Sequence, residues 1–207
     1  MIRYVIWDWN GTLLDDVDSC VDVLNDLLQR RGLQQVSRGY CRERFGFPVR
    51  PFYEGLGFDV SDQAFVDLST EFIAAYKQAL ARVGLHQGAL DVMKSLGGML
   101  DGQLVVSAME GTSNLQAGSK VQVGVEVVQA LRLDPHQVLL VGDTEHDLEL
   151  AKAIGCHCVL HVGGHQTRER LQATGYPVVD DLHSVVKLVK SRCFTSSMTT
   201  IPAQADG

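Results

Sequence analysis

Ile6-Trp7-Asp8-Trp9-Asn10-Gly11-Thr12 decides how this chain is read: an apolar run ends on an aspartate and a turn follows at once. Tyr4 to Trp7 is short, apolar and rich in aromatic and branched residues, the composition of a buried strand. Asn10 and Gly11 both tolerate left-handed backbone angles, so the chain turns there. Asp8 is thereby delivered to the carboxyl edge of a sheet, where open α/β folds place their chemistry. An aspartate here also suits a plain helix cap, so the reading rests on a second acidic strand end. Gln137-Val138-Leu139-Leu140-Val141 is another buried strand, and it runs into Gly142-Asp143-Thr144-Glu145-His146-Asp147. Asp143 and Asp147 lie four apart at a strand-to-helix junction, and the first helical turn can aim both carboxylates at one point. Two strands bringing carboxylates to one sheet edge make a hard-oxygen site of the kind Mg²⁺ prefers. A lone charge at a helix N-terminus contributes about 0.3–1 kcal/mol and does not explain the pair.

These stretches resemble the haloacid dehalogenase-like hydrolases, and among them the phosphoglycolate phosphatase-like members with a helical cap. The resemblance covers residues 2–190, and four motifs occur in the family's order. They are Asp8 with Asn10-Gly11-Thr12, Leu104-Val105-Val106-Ser107 ending in a hydroxyl, Lys120, and Gly142-Asp143 with Asp147. The resemblance implies a doubly wound parallel α/β sheet with an inserted α-helical cap. It further implies a Mg²⁺-dependent phosphatase acting on a small phosphorylated metabolite, with phosphoglycolate the family's default substrate. Asp8 would attack phosphorus and form an aspartyl-phosphate, splitting one hard hydrolysis into two steps. Mg²⁺ would be held by the Asp8 side chain, the Asn10 backbone carbonyl and Asp143. Ser107 and nearby backbone N–H groups would donate to phosphate oxygens, with Thr12 and Ala108 also lining the substrate. Lys120 would supply a fixed positive charge, and Asp147 would orient Lys120 or a metal-bound water. Such a division of labour suits phosphoryl transfer, which depends mostly on positioning and electrostatic stabilisation.

Two departures from the family's pattern stand out. The phosphatases usually carry a second aspartate two residues after the nucleophile, and this chain has Asn10. An amide donates a hydrogen bond but exchanges no proton near neutral pH, and a missing general acid–base typically costs ~10²–10⁴-fold. A slow phosphatase, a hydrolase of substrates with an easy leaving group, and a binding or regulatory protein without turnover all remain open. Phosphonoacetaldehyde hydrolases also have a small residue at that position, but they use a cap lysine as a Schiff base. The matching stretch here, Phe45-Gly46-Phe47-Pro48-Val49-Arg50, offers only an arginine, which stays protonated. Metal-free dehalogenation is disfavoured by the Asp143/Asp147 pair. The second departure is length. Only twelve residues separate Ser107 from Lys120, too few for a strand-helix-strand crossover, so the family's edge strand there is expected to be missing.

Residues 1–15 and 86–191 read as the α/β core and residues 16–85 as the helical cap. Val17, Val21, Leu24, Leu27 and Leu28 recur at helical spacing, as do Phe65, Leu68, Phe72, Tyr76 and Leu80 between Asp62 and Arg82. Arg50, on a Pro-flanked loop, is the expected cap contact to the substrate's carboxylate or second phosphate. The alternative is an ordinary solvated basic loop shared with Arg42 and Arg44. Cys156-His157-Cys158-Val159-Leu160-His161 invites a metal reading, but strand alternation puts the cysteines and histidines on opposite sides. A core strand with buried cysteines is expected instead, followed by a helix over 167–174 that brings His165 near the sheet top. Five scattered cysteines and no signal-like or membrane-length apolar run point to a reducing cytoplasm. The formal net charge of −7 argues against a nucleic-acid surface. A monomer or weak dimer is expected, with residues 192–207 a polar, disordered tail.

Overall fold

The computed structural model describes residues 1–99 and 118–191. Among them the chain runs from β1 (Tyr4–Trp7) into α1 (Val17–Arg30), α2 (Arg38–Arg44), α3 (Arg50–Gly55) and α4 (Asp62–Ala79). Next come α5 (Ala89–Met99), α6 (Gly118–Ala130) and β2 (Val138–Gly142). The order closes with α7 (Glu145–Ile154), β3 (His157–His161), α8 (Arg168–Ala173), β4 (Val178–Val179) and α9 (His183–Ser191). The edge strand between Ser107 and Lys120, Ser107 and Ala108 themselves, and the tail over 192–207 lie outside the described residues.

The described strands pair in parallel in the order β1-β2-β3-β4, with Ile6 beside Leu140 and Leu140 beside Cys158. β1 has the expected bounds, whereas β2 starts one residue late because Pro135–Gln137 winds into a 3₁₀ turn capped by Asp134. Successive strand side chains point to opposite faces, and the packing follows that period. Val5, Trp7, Leu139, Val141 and Val159 meet Val92 and Leu96 of α5 and Val185 and Val189 of α9. Ile6, Leu140, Cys158 and Leu160 meet Val128 of α6, Leu148 and Ala151 of α7, and Leu171 of α8. Helices cover both faces, so all five residues of β2 are buried and its sequence is apolar without alternation.

The helices between β1 and α5 form the cap, and it has a separate core. Val21, Leu24, Leu27 and Leu28 of α1 pack with Cys41, Tyr53, Phe58, Phe65 and Leu68, all from residues 21–68. Leu27 and Leu28 are fully buried, and burying a leucine side chain contributes about 1.5–3 kcal/mol. Gly32, at φ +66°, ends α1 and lets Leu33 N–H bond back to Leu28 O at 2.9 Å. No helix among the described residues is long and apolar enough to cross a membrane.

Candidate active site

The parallel ladder continues one residue beyond β1: Asp8 N–H donates to Val141 O at 2.8 Å. Asp8 therefore stands beside the end of β2. Its loop closes on itself as Leu13 and Leu14 N–H donate to Trp9 O at 3.0 and 2.8 Å. Gly11 has φ +76°, and a Cβ there would collide with the Asp143 carboxylate and the His165 ring. The turn read from Asn10-Gly11 is thus required both by backbone angle and by crowding.

At the end of β2, Thr144 caps α7 and forms a capping box with Asp147. Asp147 Oδ2 accepts from Asp143 N–H at 3.1 Å, Thr144 N–H at 3.0 Å and the Thr144 hydroxyl at 2.7 Å. Its Oδ1 accepts from Lys120 Nζ at 2.6 Å, and the same ammonium donates to Asp8 Oδ1 at 2.5 Å. Oδ2 is thereby committed to the capping box, and Oδ1 meets the site through Lys120. A Cβ at Gly142 would strike the Asp147 side chain, which accounts for the glycine at the strand's end. Asp143 is held from two sides. Thr12 Oγ1 donates to its Oδ1 at 3.0 Å, and His165 N–H donates to its Oδ2 at 2.6 Å, with His165 Nδ1 at 3.1 Å. One oxygen each from Asp8, Asp143 and Asp147 lie within 4.8 Å of one another.

The electrostatics follow from three carboxylates sharing one lysine. Burial pushes the Asp8 carboxyl up to about 7, Asp147 and Asp143 add to the rise, and Lys120 opposes it. Burial also acts upward on Asp143, but the hydrogen bonds and charge of His165, with Lys120, hold it below the usual carboxylate range. Burial alone would lower Lys120; the charges of Asp147 and Asp8 outweigh it and raise it. The ammonium stays charged, with its side chain 37% exposed. Negative charge is in surplus, the condition under which a hard divalent cation binds oxygen ligands. Asp8 and Asp143 retain lone pairs for such an ion, whereas Asp147 Oδ2 is saturated by its three donors and Oδ1 faces Lys120.

Not every residue singled out in the sequence joins this group. The Tyr76 hydroxyl donates to Asp16 Oδ2 at 2.5 Å, and the Asn10 side-chain amide lies 3.3 Å from the same hydroxyl. Tyr76 thus ties α4 of the cap to the Asp8 loop. Arg50 begins α3 rather than lying on a loop. It bonds Asp62 at 2.8 Å and lies over the Phe65 ring, on the cap's own surface. The arginine that crosses to the core is Arg42 of α2. Its guanidinium donates to the carbonyls of Val162, Gly164 and Gln166 at 2.5, 2.8 and 2.9 Å. Arg170 reciprocates from α8, donating to Glu43 O and Phe45 O at 3.0 and 2.6 Å.

His165 was expected near the sheet top, but its bond to Asp143 was not legible. A useful signal was the adjacent Gly163-Gly164: a Cβ at Gly164 would strike Asp143, so the loop can approach only as glycine. Cys156 and Cys158 pack into the layer facing α6 and α7, while His161 lies edge-on to His86 on the other side. Burial, with the neighbouring His86, lowers His161 to about 4.

Residues 123–185 match the family model described as HAD-hydrolase-like, a span that holds Asp143, Asp147 and His165 and stops short of Lys120. No curated protein matches the chain in sequence. Among solved structures, a predicted phosphatase from Clostridium acetobutylicum superposes with a TM-score of 0.72 at 18% identity, covering 92% of this chain and 99% of that one. A haloacid dehalogenase-like family hydrolase from Streptococcus pneumoniae gives 0.70 at 16% identity, covering 91% and 98%. A predicted phosphoglycolate phosphatase from Haemophilus somnus gives 0.65 at 15% identity, covering 91% and 98%. The parallel sheet, the helical cap and the matched C-terminal segment together show the fold of the haloacid dehalogenase-like hydrolases.

Proposed function

We propose that the protein is a Mg²⁺-dependent phosphohydrolase that forms an aspartyl-phosphate on Asp8. The observation that carries this reading is Lys120 Nζ, bonded to Asp8 and Asp147 at 2.5 and 2.6 Å next to Asp143. It supplies a nucleophile, a fixed cation and an acidic partner at one strand edge. The fold family implies Mg²⁺, and the donor set suits it, because Asp8 and Asp143 are hard oxygen ligands on adjoining strands. Asp8, Asp143 and the Asn10 backbone carbonyl would hold the ion. It would neutralise the carboxylate and phosphate charges that must meet.

The remaining work falls to the chain's own residues. Lys120 holds one Asp8 oxygen and leaves the other to face phosphorus. Asp147, locked by its capping box, keeps the ammonium in place, and Thr12 and His165 fix the Asp143 carboxylate. Arg42 and Tyr76 seat the cap on the core and limit water entry at the site. Residues 107 and 108 are proposed to complete the phosphate cradle. The substrate is a small phosphorylated metabolite, and residence in the cytoplasm is part of the same proposal.

Asn10 sets the chemistry of the leaving group. Its side-chain amide lies beside the Tyr76 hydroxyl and can donate a hydrogen bond toward the departing oxygen, yet it delivers no proton. Substrates whose leaving groups need no protonation, such as acyl phosphates, should therefore turn over fastest. The same residue favours a second reading, a phospholigand-binding protein without turnover.

Phosphate release from a panel of phosphoesters and an acyl phosphate, with Mg²⁺ and with EDTA, separates the two. Metal-dependent release that is fastest for the acyl phosphate supports the hydrolase. Asn10→Asp should then raise ester hydrolysis by up to ~10²–10⁴-fold. No release from a cooperatively melting protein, in wild type and in Asn10→Asp, would move the assignment to binding.

A further inference from the structure

We propose that Asp16, Cys20 and His165 form a site for one thiophilic d¹⁰ cation such as Zn²⁺, set in the seam between the cap and the core. The three side chains come from the loop before α1, from α1 and from the loop after β3. Cys20 Sγ lies 3.6 Å from Asp16 Oδ2, and His165 Nε2 lies 3.7 Å from Asp16 Oδ1. One ligand atom from each falls within 4.8 Å of the other two. Tetrahedral zinc with the usual Zn–S, Zn–N and Zn–O bonds requires donor separations of roughly 3.3–3.6 Å. Shifts of up to about 1 Å in these side chains would close that gap.

The surroundings prepare the donors for a cation. His165 turns Nδ1 to the Asp143 carboxylate at 3.1 Å, which leaves Nε2 facing Asp16 and Cys20. A histidine whose far nitrogen rests on a carboxylate is the usual supported metal ligand. Asp16 is fully buried, and its two oxygens are positioned by Gly11 N–H at 2.8 Å and the Tyr76 hydroxyl at 2.5 Å. Each oxygen keeps a further lone pair. Cys20 and His165 are partly exposed, which provides an entry path. On binding, Cys20 Sγ and His165 Nε2 both release their protons to solvent, the metal takes their place, and no electron is transferred. Thiolate and imidazole distinguish this site from the all-oxygen set of Asp8 and Asp143. It does not depend on the phosphatase reading.

Co²⁺ titrated into the full chain tests the site, because only a thiolate ligand gives the sulfur-to-cobalt charge-transfer band. The band should saturate at one equivalent, be displaced by Zn²⁺, persist in Asp8→Asn and in Cys156→Ser, and vanish in Cys20→Ser. No band at saturating Co²⁺, or an undiminished band in Cys20→Ser, overturns the proposal. If Cys20→Ser does not melt cooperatively, His165→Gln carries the test: the site requires the thiolate-to-cobalt band to need at least tenfold more Co²⁺ for saturation, and an unchanged band rejects it.

Discussion

Two clusters meet at the His165 ring, and they are built by different rules. Asp8, Asp143, Asp147 and Lys120 stand on strand ends and first helical turns of the core. Asp16, Cys20 and His165 come from a loop, a cap helix and a second loop. The first cluster is all oxygen around one ammonium; the second is mixed oxygen, sulfur and nitrogen. A strand end fixes a side chain through the ladder itself, as Asp8 N–H on Val141 O shows. The second cluster exists only because the cap is docked.

Breaking the first cluster alone should have the largest effect. Asp8→Asn removes the nucleophile, and phosphate release should fall by several orders of magnitude, since groups that act as a unit are not partly dispensable. Activity that survives this change would remove Asp8 from the mechanism. Lys120→Met keeps the nucleophile but strips its cation, and kcat should drop by ~10²–10³-fold, the usual cost of one electrostatic stabiliser. A change confined to KM would assign Lys120 to ground-state binding instead.

The link between the clusters is sharpened by Gly164→Ala. The new methyl would displace Asp143, which also carries His165, so metal affinity and turnover should fall together by ~10–100-fold. Isothermal titration with Mg²⁺ and steady-state rates on one preparation would show whether the two losses match. Unaffected Mg²⁺ binding would mean that the 163–165 loop simply moves aside.

The smallest effects should separate the two cap arginines. Arg42→Ala leaves three core carbonyls without their charged donor and should lower stability by about 2 kcal/mol, since hydrogen bonds to charged groups contribute about 1.5–3 kcal/mol. Arg50→Ala removes an exposed pair with Asp62 and should change stability by less than about 1 kcal/mol. Thermal melts of both variants make the comparison, and equal shifts would place the seam elsewhere.

Glycines mark the places where the two clusters approach each other. Gly11, Gly142 and Gly164 each sit where a Cβ would strike Asp143 or Asp147. Their positions are visible in the sequence, but what they make room for is not. The cap arginines show the same limit. Arg42, Arg44 and Arg50 look alike along the chain, yet Arg44 lies over Tyr40, Arg50 over Phe65, and Arg42 crosses to the core.

The sequence by itself determined β1, the two acidic strand ends, the long cap helices and the alternation that buries Cys158. Those features depend on period, local turn chemistry and apolar runs, all of which act over a few neighbouring residues. The tertiary structure alone decided that Lys120 pairs with both Asp8 and Asp147, that Arg42 rather than Arg50 spans the seam, and that His165 joins Asp143 to Asp16. These contacts join residues up to 149 positions apart, as between Asp16 and His165. No local pattern encodes which helix face or loop will meet which; the packing of the cap on the sheet's edge does.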